Sequence, residues 1–202
     1  YSTLAHRGYF PVEDLKTFRH TGSYLQGHPD MKGIPGVDMS SGSLGQGLSA
    51  ACGMALAAKI KGAPYRVYAV VGDGESEEGQ IWEAAMFAAH YKLSNLTLVI
   101  DWNGLQIDGK ITDVMNPTPH DEKLLAFGWD VVSIDAHDFG QIESAFAHAR
   151  ECTDKPTAII ASSHKGHGVS YMEDQAGWHG KAPNEEQYKT AIAELKAYRE
   201  SI

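Results

Sequence analysis

Asp73 and Asn103 are the residues whose types and spacing first suggest chemistry. Each follows an apolar, β-branched run, in "VVGDGES" and "VIDWNGL". A carboxylate and an amide oxygen are hard donors that suit Mg²⁺ or Ca²⁺. Mg²⁺ takes one or two carboxylates and fills its octahedron with water and phosphate oxygens. Gly72 and Gly74 let the backbone approach such a ligand. A helix starting near residue 79 would turn the positive end of its dipole toward negative charge. A lone Gly-Asp-Gly is more often an ordinary turn. Polar turn residues at two successive strand ends are what favour one shared cation.

Four runs must carry those turns: "RVYAVV" (66–71), "LTLVID" (96–101), "WDVVSID" (129–135) and "TAIIAS" (157–162). Their nearly continuous apolar character predicts strands of a parallel sheet buried on both faces. Helical patterns occupy 44–62, 79–92 and 139–152, and a loop is expected between the second and third strands. That order predicts an α/β fold: a doubly wound, mainly parallel sheet with helices on both faces. Ligands of such sheets collect outside the carboxyl ends of the strands, where Asp73 and Asn103 fall. The tail from Asn184 reads as a closing amphipathic helix with Asn184 as N-cap. Residues 22–43 and 164–183 read as long loops, a length often associated with function. A single domain over 1–202 is expected.

The totals exclude several classes. With 17 Lys and Arg against 26 Asp and Glu, the formal charge of −9 argues against nucleic-acid and anionic-membrane affinity. No apolar run reaches the length of a membrane span. The first residues lack the pattern of a signal peptide, and Cys52 and Cys152 have no CxxC companion, so a reducing cytoplasm is expected. "GSLGQGLS" follows no predicted strand, which discounts a dinucleotide-binding Rossmann motif.

Three stretches resemble the transketolase family of thiamine-diphosphate enzymes: "GHPDMKGIPGVDMSSGSLGQGLSAACGMALA", "GDGESEEGQIWEAAMFAAHYKLSNLTLVIDWNGLQIDG" and "SSHKGHGVSYMEDQAGWHGKAP". The resemblance implies the diphosphate-binding domain, and most closely the separately encoded N-terminal subunit of a split transketolase. It implies thiamine diphosphate and Mg²⁺ (Ca²⁺ or Mn²⁺ could substitute), with Asp73, Asn103 and the Leu105 carbonyl as metal ligands. Gly72 and Gly74 would approach the diphosphate, and Gly42 and Leu44 the cofactor's rings. His28 would lie near the aminopyrimidine and the reacting oxygens. Lys165 and His179 would approach the diphosphate and substrate. Glu78 and Glu83 would be acids at an interface between active sites. His164 and His167 are expected to be loop residues only, and Trp178 to pack that loop.

The glutamate that activates the aminopyrimidine belongs, in this family, to a pyrimidine-binding domain. The expectation is therefore a partner subunit carrying that domain, in a heterotetramer of two plus two chains, the chain alone being inactive. The expected activity is transfer of a two-carbon ketol unit from a ketose phosphate to an aldose phosphate, in the pentose phosphate pathway. The alternatives are a split relative for another sugar, an enzyme similar to 1-deoxyxylulose-5-phosphate synthase, and a non-catalytic scaffold. Family members usually carry, ahead of "LAHRGYF", a Gly- and His-containing segment that helps line the substrate channel.

Overall fold

The computed structural model describes residues 1–201. Along the chain run α1 (Ser2–His6), α2 (Gln46–Lys61), β1 (Val67–Gly72), α3 (Gly79–His90), β2 (Leu96–Trp102), β3 (Leu105–Gln106), β4 (Gly109–Lys110), α4 (Ile111–Val114), α5 (His120–Phe127), β5 (Asp130–Asp135), α6 (Phe139–Glu151), β6 (Thr157–Ser162) and α7 (Glu185–Ser201). The four expected strands form one sheet in the order β1-β2-β6-β5. Every neighbouring pair is parallel, with Gly72 opposite Asp101 and Trp102 opposite Ser162. The carboxyl ends of β1, β2 and β6 therefore lie side by side.

Strand alternation decides which helices cover which face. Leu96, Leu98, Ile100, Ala158 and Ile160 point into one core with Leu48, Ala55, Ile81, Ala85 and Leu124, so α2, α3 and α5 cover that side. The intervening Val99, Ile159 and Ala161 pack with Ile134, Ala145, Ile142 and Phe146, placing α6 on the other. Each fully buried Leu or Ile contributes roughly 1.5–3 kcal/mol. The expectation of strands buried on both faces fails at β1, where Val70 is 71% exposed. β1 ends the sheet and α6 does not cover it completely; Tyr68 reaches across edge-on to Phe146, and Arg66, just before the strand, donates to the Ala149 carbonyl of α6 at 2.6 Å.

The expected loop between β2 and β5 is not plain loop. It holds the β3–β4 hairpin, the single turn α4, and α5. α5 ends on Gly128 at φ 96, with the Gly128 and Trp129 N–H groups capping Leu125 and Leu124 carbonyls. The closing helix is capped as expected: Asn184 Oδ1 accepts the Gln187 N–H at 2.9 Å while Gln187 Oε1 accepts the Asn184 N–H at 3.0 Å. α7 in turn holds the late loop, since Glu194 accepts the N–H and Oγ–H of Ser170 at 2.8 and 2.6 Å. No helix among the described residues is long and apolar enough to cross a membrane.

Candidate metal and diphosphate site

Parallel pairing of β1 with β2 brings two turns together at one edge of the sheet. Asp73 is 1% exposed. Its Oδ1 accepts the Gly74 N–H at 2.8 Å and its Oδ2 accepts the Gly104 N–H. Asn103 Oδ1 accepts the next N–H, that of Leu105, at 3.1 Å. The two predicted ligand side chains thus close on consecutive peptide units of one loop. Gly74 is required by close packing: a Cβ there would stand 2.9 Å from Gln106 Cβ in the β3–β4 hairpin. Gln106 also donates to Glu77 at 2.9 Å, fastening the hairpin to the first turn.

Burial pushes the Asp73 carboxyl above the usual aspartate range; N–H groups of Gly104, Gly74 and Asn103 oppose the rise and the Asp101 charge adds to it. Among the described residues no ion pair involves Asp73. A buried carboxylate with N–H donors and no counter-charge is a fitting seat for a divalent cation. No group of three or more His, Cys, Asp or Glu among the described residues is arranged to hold a metal. A cation at this place would depend on one carboxylate, the Asn103 amide oxygen, a backbone carbonyl and ligand oxygens. That is a Mg²⁺-like donor set.

Asp101 orients this set. Its Oδ2 accepts from Asn103 Nδ2 at 3.1 Å and its Oδ1 accepts from Ser163 Oγ, joining the ends of β2 and β6. With the amide nitrogen so engaged, Oδ1 of Asn103 is the atom left to face the loop. Glu75 makes a second tie, accepting the Gly45 N–H at 3.0 Å and the Gly72 N–H at 3.3 Å. Neither acid was singled out from the sequence. Asp101 had a signal, being the acid that ends the second predicted strand just before Asn103, whereas nothing in the spacing marks Glu75.

A cleft of about 810 Å³ opens beside the pair, lined by Asn103, Gly104, Leu105, His120, Ser163 and His164 among others. A further cleft of about 630 Å³ shares His164 with it and adds His137 and His167. These three imidazoles do more than fill a loop. The His137 and His167 rings stack at 3.7 Å, and His137 Nε2 accepts the His164 N–H at 2.9 Å. His164 and His167 each donate from Nδ1 to a carboxylate, Asp174 and Glu173, at 3.1 Å. Burial, then the neighbouring His167, lowers the His137 pKa.

The other expected site residues fall in separate places. His28 is exposed and packs on Gly42, whose φ of 128 favours glycine; a Cβ there would lie 2.7 Å from His28 Cγ. Gly72 ends β1 and Gly74 sits in the turn after it, but their N–H groups already donate to Glu75 and Asp73. Lys165 follows the cleft-lining His164, and its carbonyl accepts the Asp174 N–H at 2.8 Å. His179 and Leu44 are exposed, and the His179 N–H donates within its own loop, to the Ala176 carbonyl at 2.9 Å. Glu78 and Glu83 are exposed on and before α3, Glu78 lying against Gly45. Trp178 packs on Tyr171 with ring centroids 5.1 Å apart, as expected.

Comparison with known proteins places the chain in one family. A family model described as "Transketolase, thiamine diphosphate binding domain" matches residues 1–198. The 6-deoxy-6-sulfo-D-fructose transketolase subunit of Clostridium sp. (strain MSTE9) is 45% identical over 97% of this chain and 71% of its own length. An apulose-4-phosphate transketolase subunit of Phocaeicola vulgatus is 41% identical over 100% of this chain and 72% of its own. The solved transketolase of Campylobacter jejuni superposes with a TM-score of 0.85 at 34% identity, over 91% of this chain. This chain spans 30% of that solved protein.

Proposed function

Because the chain belongs to the transketolase family, as its thiamine diphosphate binding domain, we propose that it holds Mg²⁺ and the diphosphate in an enzyme transferring a two-carbon ketol unit from a ketose to an aldose. Asp73, Asn103 and the Leu105 carbonyl would hold the ion. The observation that carries this reading is the buried, uncompensated Asp73 carboxylate sharing one loop with Asn103. Thiamine diphosphate, when bound, supplies the nucleophilic carbon that accepts the ketol unit.

The remaining steps belong to side chains. Asp73 lends the charge that holds the cation, and Asp101 keeps the Asn103 amide turned so that its oxygen faces the loop. The N–H groups of Gly72 and Gly74 must leave Glu75 and Asp73 if they are to donate to a diphosphate. Lys165 would supply a cation toward the diphosphate, and His28 and His179 would donate to substrate oxygens as charge develops there. The packing of His28 on Gly42 supports this role. Leu44 would lie against the cofactor's rings, and Glu78 and Glu83 at an interface with a second active site.

A pyrimidine-side domain would complete the site, and the relatives named as subunits support its being a separate partner. Their names also favour a second reading within the class, a donor other than xylulose 5-phosphate. Calorimetry on the chain with its pyrimidine-side partner should give heat with MgCl₂ plus thiamine diphosphate, and none with D73N. Transfer to ribose 5-phosphate should then be assayed from xylulose 5-phosphate, apulose 4-phosphate and 6-deoxy-6-sulfofructose. Binding without transfer from any donor would leave a scaffold, and no heat from the wild type would sink the assignment.

A further inference from the structure

The turn that carries Asp73 is fastened from behind by a pair of buried polar side chains. Ser76 is 0% exposed and His120 3%. Ser76 Oγ donates to the Asp73 carbonyl, and it lies 2.8 Å from His120 Nε2. A hydroxyl has one hydrogen, and here it goes to Asp73. Ser76 therefore accepts from His120, so Nε2 carries the proton. His120 is the first residue of α5 and lines the cleft of about 810 Å³. Its ring lies 6.4 Å from that of Trp82 and nearly parallel to it. Burial, and then Lys123, lower its pKa and so favour the neutral ring, whose lone pair then sits on Nδ1.

We propose that His120 is a positioning residue: its Nε2–H, passed on through Ser76, locks the Asp73 turn to the start of α5, so that the predicted cation seat and the cleft wall form one rigid unit. The inference deepens the reading above and rests on it. Three features support a positioning role over plain core packing. The bond spans 44 residues of sequence, its direction is fixed, and it ends on the backbone of the predicted metal ligand. An apolar ring of similar size would satisfy packing but not the Ser76 oxygen. Partners of this kind behind metal ligands are worth about 10–100-fold in metal affinity.

The test is magnesium affinity, measured by calorimetry at saturating thiamine diphosphate on the full protein with its partner domain. His120→Phe keeps a ring against Trp82 and removes the donor; His120→Gln returns an N–H close to Nε2. Affinity should fall about tenfold in H120F and S76A, stay within about threefold of wild type in H120Q, and fall no further in the S76A/H120F double variant. Thermal melts check that each variant folds, and S76A with H120Q carry the test if H120F does not. Wild-type affinity in H120F and S76A, or an H120Q loss equal to that of H120F, would overturn the relay alone. A wild type that takes up no magnesium, or a D73N variant that binds normally, brings down the underlying assignment and the relay with it.

Discussion

The carboxylate of Glu75 accepts the backbone N–H of Gly45 at 3.0 Å, tying the start of α2 to the turn that holds Asp73. Its other oxygen accepts from Gly72 at 3.3 Å. Two N–H groups from segments far apart in sequence thus share one acid. Glu75→Ala leaves both partly buried donors without an acceptor, which costs about 1–3 kcal/mol. Denaturant titration should register that loss, with Glu75→Gln recovering part of it through its remaining carbonyl oxygen. An unchanged midpoint in E75A would mean water replaces the carboxylate at no cost.

Asp73 governs two responses of opposite sense. Its pKa is raised by burial, so in metal-free protein its contribution to stability is complete below the ordinary aspartate value of 3.8. That contribution drains as pH rises through the raised folded value. On the proposed reading, magnesium with thiamine diphosphate should reverse the penalty by mass action, about 2.7 kcal/mol at a ligand concentration 100 times Kd. Melting curves of D73N should show neither the metal-free pH slope from this group nor the ligand-induced rise. A ligand-induced rise equal to wild type would remove Asp73 from the cation seat.

Much of this arrangement is legible in the chain itself, because parallel-strand burial leaves a continuous apolar signature. Leu96, Leu98 and Ile100 face one core and Val99 the other, so the run "LTLVID" reads without alternation and marks its strand. α5 is harder to see. Its only buried residues are His120 and Leu124, and the Asp121 and Glu122 between them read as loop. The site divides the same way. Asp73 and Asn103 stand at strand ends where topology alone exposes them, while Glu75, Ser76 and His120 act through contacts over 30 and 44 residues. Only folding creates those pairs. The histidines His164 and His167 read as loop residues because their stacking partner, His137, comes from the turn after β5, far away in sequence.

The late loop should loosen in acid. Glu194 on α7 accepts two hydrogen bonds from Ser170, which hold its pKa below the usual glutamate range. A depressed carboxyl contributes stability that is complete above its unfolded pKa and is lost as pH falls through the folded one. The window therefore lies below the ordinary value of 4.5. Hydrogen exchange at Ser170 should accelerate there while β2 and β6 stay protected. In Glu194→Gln the transition should vanish, and its persistence would assign the acid response to another group.

Gly42 offers the sharpest separation of site from scaffold. Its φ of 128 lies where side chains are strained, and a Cβ would meet His28 Cγ at 2.7 Å and Cβ at 3.0 Å. Gly42→Ala therefore acts twice, through backbone strain of about 1–3 kcal/mol and by pushing His28 from its packed position. The two parts can be told apart in a double-variant cycle. In His28→Ala the ring is gone and only the Cβ contact at 3.0 Å remains, so adding G42A should cost the strain and that lesser contact, less than it costs beside an intact His28. Thiamine diphosphate affinity should fall in G42A while the four-stranded sheet, remote from this loop in its core contacts, keeps its circular dichroism. Strictly additive stability costs would show that His28 moves aside freely, and its proposed placement by Gly42 would then have to be given up.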